Sequence, residues 1–151
     1  MNTVTVTHHF TASAERVFDA WLDPKTACKW LFATPSGRMV RVEIDARVGG
    51  RFVIVDRRNE EDVEHTGEYL EIDRPRRLVF TFGVPKYSPL FTTVTLDIEP
   101  TPTGSTLTLT HEGVPVEYEE RNVEGWTKIL AGLDKAVAEI QQENGLIDSG
   151  S

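Results

Sequence analysis

The sequence predicts an α+β domain in which a curved antiparallel sheet of about seven strands wraps around a long C-terminal helix. Seven segments alternate apolar and polar residues, as half-buried strands do. The last six of these segments are joined mostly by hairpin-length connections, which favours an antiparallel meander. The C-terminal segment carries one wide apolar stripe with helical spacing, and a sheet that is apolar on one face needs such a helix to cover it.

The first elements are a strand and two short helices. The segment from Thr3 to Phe10 alternates as a strand. Ser13 is a good N-cap for a short helix, with Glu15 in the first turn, where the helix dipole favours an acidic residue. Asp23-Pro24 ends this helix and begins another that runs to about Trp30, because Asp suits the N-cap and Pro the first helical position.

Six strands and the long helix follow. The strands comprise Met39 to Asp45, Arg51 to Asp56, Val63 to Ile72, and three segments marked by Leu78, Phe80 and Phe82, by Val94, Leu96 and Ile98, and by Leu107, Leu109 and His111. Gly49-Gly50 predicts a tight hairpin turn. The helical stripe consists of Val123, Trp126, Ile129, Leu130, Leu133, Val137 and Ile140. Asn144-Gly145 predicts the end of this helix, so that residues 1–145 form one domain and residues 146–151 a flexible tail.

Composition limits the class of protein but names no activity. The chain has 151 residues, of which 39% are hydrophobic and 26% charged, as in one ordinary globular domain. Its single cysteine, Cys28, excludes an internal disulfide and favours a cytoplasmic location. The net charge of -8 argues against nucleic-acid binding. No segment has the length of a membrane span or the pattern of a signal peptide.

A series of motifs along nearly the whole chain resembles a known family. The chain is similar to the START-like (SRPBCC) helix-grip superfamily, and within it to homologues of the activator of the ninety-kilodalton heat-shock protein ATPase. The matching segments are Asp23-Pro24 with Lys29-Trp30, residues 47–52 (RVGGRF), 67–72 (GEYLEI), 75–82 (PRRLVFTF) and 104–111 (GSTLTLTH), and Gly125-Trp126 with Leu130 and Leu133. The resemblance implies a cavity between sheet and helix, often used for apolar small molecules, but no fixed reaction.

The apolar residues that face the gap between sheet and helix are the candidate ligand contacts. Those whose periodicity directs them there, or that close one end, are Trp21, Trp30, Phe32, Phe52, Ile54, Phe80, Phe82, Val94, Leu96, Leu109, Trp126, Ile129, Leu130 and Leu133, together with His111 as a polar group. The alternative is that the apolar residues simply fill the core. Gly132 within the helix indicates either room for a ligand or close packing against another element.

The segment from Gly83 to Phe91 is long for a hairpin connection and carries Tyr87, Leu90 and Phe91. It is interpreted either as a cover over the mouth of a pocket or as a surface loop pinned by its own aromatic residues.

Few residues suggest catalysis, and none suggests a metal. His65 and His111 are the candidates for acid–base chemistry, and the alternative for both is a hydrogen-bonded structural histidine. Adjacent strand residues such as His8 and His9 point to opposite faces and cannot share one metal ion. No metal-ligand spacing, phosphate-binding loop or nucleophile motif occurs, so we expect no metal and no cofactor.

Three functions therefore remain open. The first is a binding module, monomeric or homodimeric, for a small apolar, lipid-like or aromatic molecule. The second, implied by the resemblance, is a co-chaperone-like regulator of a heat-shock chaperone ATPase. The third is an enzyme of the cyclase, dehydratase or hydrolase kind that uses the same cavity.

Overall fold

A computed structural model describes residues 2–31, 38–58, 60–86 and 89–150. Its elements, in chain order, are β1 (Asn2–Phe10), α1 (Ala14–Leu22), α2 (Pro24–Trp30), β2 (Arg38–Ile44), β3 (Arg51–Arg58), β4 (Glu61–Asp73), β5 (Arg77–Phe82), β6 (Thr92–Thr101), β7 (Gly104–Val114), a short 3₁₀ turn (Val116–Tyr118) and α3 (Glu119–Gly150). The predicted α+β class and the order of one strand, two short helices, six strands and a long helix are confirmed.

The seven strands form one antiparallel sheet in the order β1-β7-β6-β5-β4-β3-β2. The six strands β2 to β7 follow one another as a meander, as hairpin-length connections dictate. Only β1 departs from this order, because it pairs with β7 from Asn2↔Val114 to Phe10↔Ser105. The first and last strands of the chain are therefore neighbours, next to the helix that follows β7.

Both short helices begin where the sequence predicts. The Ser13 hydroxyl accepts a hydrogen bond from the Arg16 backbone N–H at 3.3 Å, and the Asp23 carboxylate accepts one from Lys25 N–H at 3.1 Å. These caps satisfy backbone donors that the first helical turn leaves unpaired. Pro24 occupies the first turn of α2, where its missing N–H costs nothing.

The core lies between the concave face of the sheet, the two short helices and α3. Its largest side chains exposed below 2% of their area include Phe18 of α1, Ile54 of β3, Leu96 of β6 and Leu130 of α3. Two polar contacts at the surface connect the sheet to the helices. Arg74, between β4 and β5, donates to both carboxylate oxygens of Asp19 on α1 at 2.7 and 2.8 Å. His8 Nε2 on β1 lies 2.9 Å from the Asp134 carboxylate on α3. None of the described helices is long and apolar enough to cross a membrane.

Two local predictions differ from the structure. The Gly49-Gly50 pair does not form a two-residue hairpin, because the connection from β2 to β3 spans residues 45–50. Gly49 has a φ of 86° and donates its N–H to the Tyr69 carbonyl at 2.9 Å, whereas a Cβ on Gly50 would collide with the Asp45 carbonyl. The helix α3 passes through Asn144-Gly145 and continues to Gly150, because a glycine only weakens a helix that neighbouring residues continue.

Candidate ligand-binding site

An open pocket of about 740 Å³ lies at one end of the sheet, where the β5–β6 connection, the end of β7 and the start of α3 meet. We call it the His111 pocket. Its described lining residues are Phe82, Gly83, Val84, Leu90, Phe91, Thr92, Thr93, His111, Glu112, Gly113, Val114, Pro115, Tyr118 and Asn122. The volume falls in the range of sites that hold small molecules, and most of the lining is apolar.

His111 is the buried polar group of this pocket. Its side chain lies on the concave face of β7, and the residue is 3% exposed. Nε2 lies 2.6 Å from the Thr92 hydroxyl on β6, which in turn donates to the Phe82 carbonyl at 3.2 Å. Nδ1 accepts a hydrogen bond from the Trp126 indole N–H at 3.0 Å and lies 3.1 Å from the Asn122 amide. The imidazole therefore joins β6, β7 and α3.

These contacts specify the tautomer of His111. An indole N–H can only donate, so Nδ1 accepts and the proton resides on Nε2, which donates to Thr92. Burial lowers the pKa of His111 and outweighs the opposing effect of the Asn122 amide oxygen. At neutral pH this imidazole is uncharged.

Aromatic rings surround the imidazole. The Phe82 ring lies 5.9 Å from the His111 ring and 6.0 Å from the Trp126 ring, in edge-on and tilted arrangements. On its other side, Phe82 lies 6.1 Å from His65. His65 is buried, its Nδ1 lies 3.3 Å from the Ile54 carbonyl, and it is not among the lining residues. A catalytic role for either histidine stays a prediction.

The rim of the pocket exposes apolar side chains to solvent. Leu90 is 60% exposed, Tyr118 50% and Phe91 45%. The Phe91 ring also lies against Gly83, where an added Cβ would meet its carbon atoms at 2.9 Å. The described part of the β5–β6 connection thus packs on its own aromatic residue and also borders the pocket, and its role as a cover over the pocket mouth stays a prediction. Tyr87 lies outside the described residues.

Most of the predicted ligand contacts lie deeper than this pocket. Phe82 and His111 line it, and Trp126 bonds to His111. The others in the described chain pack between the sheet and the helices: Trp21, Trp30, Phe52, Ile54, Phe80, Val94, Leu96, Leu109, Leu130 and Leu133 are buried, and Ile129 is partly buried. The small void among Trp21, Phe52, Phe80 and their neighbours measures about 10 Å³, room for one water at most. Phe32 lies outside the described residues.

The sequence did not indicate several residues of the pocket wall. They are Thr92 and Val114 at strand ends, Pro115 between β7 and the 3₁₀ turn, Tyr118 in that turn and Asn122 at the start of α3. None of them belongs to a periodic series of apolar residues that faces the core. Gly113, with a φ of 89°, is the one local signal, since it marks a kink at the end of β7. The residues of the pocket wall lie close together because the meander places β6 beside β7.

A second concavity, of about 680 Å³, lies outside the core between β1 and the first turns of α3. It contains Val123, which is 41% exposed, so this member of the predicted apolar stripe faces solvent. Three glutamates, Glu119, Glu120 and Glu124, line it, and it contains none of the buried polar groups described above. Within the described chain no group of three or more potential metal ligands occurs.

The fold defines a START-like helix-grip domain, and its pocket is open at one end of the sheet, beside the start of α3. The family model described as "Activator of Hsp90 ATPase homolog 1-like protein" matches residues 11–138, and the chain belongs to this family. No curated protein sequence matches the chain.

Solved structures of similar proteins share the fold over most of their length. A protein from Chromobacterium violaceum is 29% identical, with a TM-score of 0.82 over 90% of this chain and 96% of that one. An AHSA1-like protein from Aeromonas hydrophila is 21% identical, with a TM-score of 0.81 over 93% of this chain and 94% of its own. A protein of unknown function from Staphylococcus aureus is 18% identical, with a TM-score of 0.81 over 93% and 96%.

Proposed function

We propose that this protein binds a small apolar or aromatic molecule in the His111 pocket. The observation that carries the proposal is an open, largely apolar pocket of about 740 Å³ with a buried, hydrogen-bonded histidine in its wall. Small-molecule sites combine such apolar walls with a few polar groups that orient the ligand. Membership of a fold family that commonly has a ligand-binding cavity supports the proposal.

Binding is tested with N-phenyl-1-naphthylamine, an uncharged aromatic probe that becomes fluorescent in apolar surroundings. We expect saturable binding to the full chain. The variant L90D places a carboxylate at the rim, where it must lose water when the probe binds, and we expect about tenfold weaker affinity, the ratio that corresponds to 1.4 kcal/mol.

The variant V48D is the matched control, because Val48 is also an exposed aliphatic residue, 64% exposed, but lies in the connection from β2 to β3. We expect V48D to bind the probe as the wild type does. Absence of saturable binding, together with no bound molecule among lipids and aromatics in native mass spectra, would refute the proposal. Equal losses in L90D and V48D would place the binding elsewhere.

The second candidate is regulation of a heat-shock chaperone ATPase, which the description of the matching family favours. This proposal predicts that the full chain changes the rate of ATP turnover of a ninety-kilodalton heat-shock chaperone and is retained with it in a pull-down. Unchanged turnover at excess protein contradicts it and leaves the small-molecule proposal untouched.

A further inference from the structure

The described wall of the His111 pocket contains no cationic side chain. Glu112 is the one acidic residue among its described lining residues, and no Lys or Arg is among them. The nearby Lys86 is exposed and lies 3.4 Å from the carboxylate of Glu61. An anion that enters a largely apolar pocket pays its desolvation cost in full unless a cation or several donors receive it. The described wall offers an anion no such cation.

His111 is the one wall residue that a proton could turn into a cation, and its contacts oppose this. The Trp126 N–H occupies the lone pair of Nδ1, while Nε2 already carries a proton and donates to Thr92. A proton on Nδ1 would set two N–H groups against each other at a separation of 3.0 Å between the nitrogens. The contact with Trp126 and the burial of the ring both oppose protonation, whereas the Asn122 amide oxygen, 3.1 Å from Nδ1, acts in the opposite direction and is outweighed.

We propose that the His111 pocket selects uncharged ligands with a hydroxyl, carbonyl or amide group and rejects carboxylates of the same size. This inference rests on the proposed function, because it specifies the ligand class of the same site. The Asn122 amide and the Tyr118 phenol supply uncharged polar groups on the wall. The net charge of -8 acts in the same direction, since it lowers the local concentration of anions near the protein.

Matched pairs of ligands test the selection in the wild type. Decanol is compared with decanoate, and 2-naphthalenemethanol with 2-naphthoate, as competitors of N-phenyl-1-naphthylamine at pH 7. We expect each alcohol to displace the probe at a concentration about tenfold lower than its carboxylate, a ratio of 1.4 kcal/mol. Equal or better competition by the carboxylates overturns the inference and leaves the proposed function standing. If the probe itself does not bind, the proposed function fails, and the inference with it.

Two tryptophan variants test the role assigned to the indole. W126F removes the N–H that occupies Nδ1, whereas W30F removes an equally buried indole whose Nε1 has no hydrogen-bond partner among the described residues. Glu112 and Tyr118, the other titratable residues of the described wall, are present in both variants. At pH 6.5 we expect the preference for alcohols to be smaller in W126F than in the wild type, because only burial then opposes protonation of the imidazole, and to persist in W30F.

Two outcomes would overturn the role assigned to Trp126. In the first, W126F keeps the preference of the wild type for alcohols. In the second, W30F loses as much of that preference as W126F does. A direct measurement covers the case in which W126F does not fold. The ¹⁵N chemical shifts of the His111 ring in the wild type should show the neutral tautomer with the proton on Nε2 at pH 7, both free and with decanol. A charged imidazolium, or the opposite tautomer, refutes the inference.

Discussion

At His111, burial and the hydrogen bond from Trp126 both favour the neutral imidazole. The ring is removed from water, which penalises its charged form, and the Trp126 N–H takes the lone pair that a second proton would need. The location of His111 in the fold therefore determines the charge of its side chain. His9, in contrast, lies at the surface, where its Nδ1 is 2.8 Å from the Thr106 hydroxyl.

The substitution H111Q should change how stability depends on pH. Because the pKa of His111 is lower in the folded protein, the unfolded chain binds its proton first, and the wild type loses stability as the pH falls below about 6.5. Above that pH the residue contributes no pH dependence. H111Q should cost about 1–3 kcal/mol at pH 7, since it disturbs buried hydrogen bonds, and its further loss between pH 7 and pH 5 should be smaller than that of the wild type.

Urea unfolding at a series of pH values measures both effects. H9Q is the control, because it removes an exposed histidine, and its profile should follow that of the wild type. An H111Q variant that retains the full loss of stability on acidification would contradict the assignment of that loss to His111.

At the scale of single elements, the sheet depends on close approaches of its strands that only small residues permit. Gly67 of β4 faces the core opposite Phe52, and an added Cβ would collide with the backbone carbonyl of Thr81 on β5. A backbone carbonyl in a sheet cannot move aside as a flexible side chain can. Gly132 of α3 differs, because a Cβ there would reach ordinary contact with Trp30 Cβ at 3.6 Å, so this glycine marks the packing of α3 against α2.

Two glycine-to-alanine substitutions should therefore change stability in opposite directions. G67A should lower the free energy of unfolding by about 3 kcal/mol, the upper end of the usual cost of overpacking. G125A adds a Cβ on α3 where no atom lies within 4 Å, and should raise stability by up to about 1 kcal/mol, the difference in helix propensity. Chemical denaturation measures both changes. A G67A variant as stable as the wild type would mean that β4 and β5 can separate locally without loss.

At the scale of the whole molecule, periodicity and capping predicted the fold, whereas the location of the pocket depends on tertiary packing. Ser13, Asp23 and the alternation of the strands act over a few residues and are visible in sequence. Whether an apolar gap is filled depends on the side chains of elements far apart in the chain, such as Trp21, Phe52 and Phe80, which leave only about 10 Å³ between them. The open space instead lies where irregular segments meet, and their approach has no periodic signal.

Because the core is filled and the His111 pocket lies outside it, we expect substitutions in the core and at the pocket rim to have different effects. Leu96 is fully buried on β6 and does not line the His111 pocket, so L96A should cost about 2–5 kcal/mol of stability. The milder I54V should cost about 0.5–1.5 kcal/mol.

We expect the affinity for N-phenyl-1-naphthylamine to stay within about twofold of the wild type in both variants, a change below 0.5 kcal/mol. L90D, at the exposed rim, should instead retain stability and lose affinity. Thermal unfolding and probe titration of the same samples separate the two effects. A large loss of affinity in the folded I54V variant would show that the ligand reaches the interior between sheet and helix, because one methylene group removed from a filled core does not otherwise alter a site at the open end.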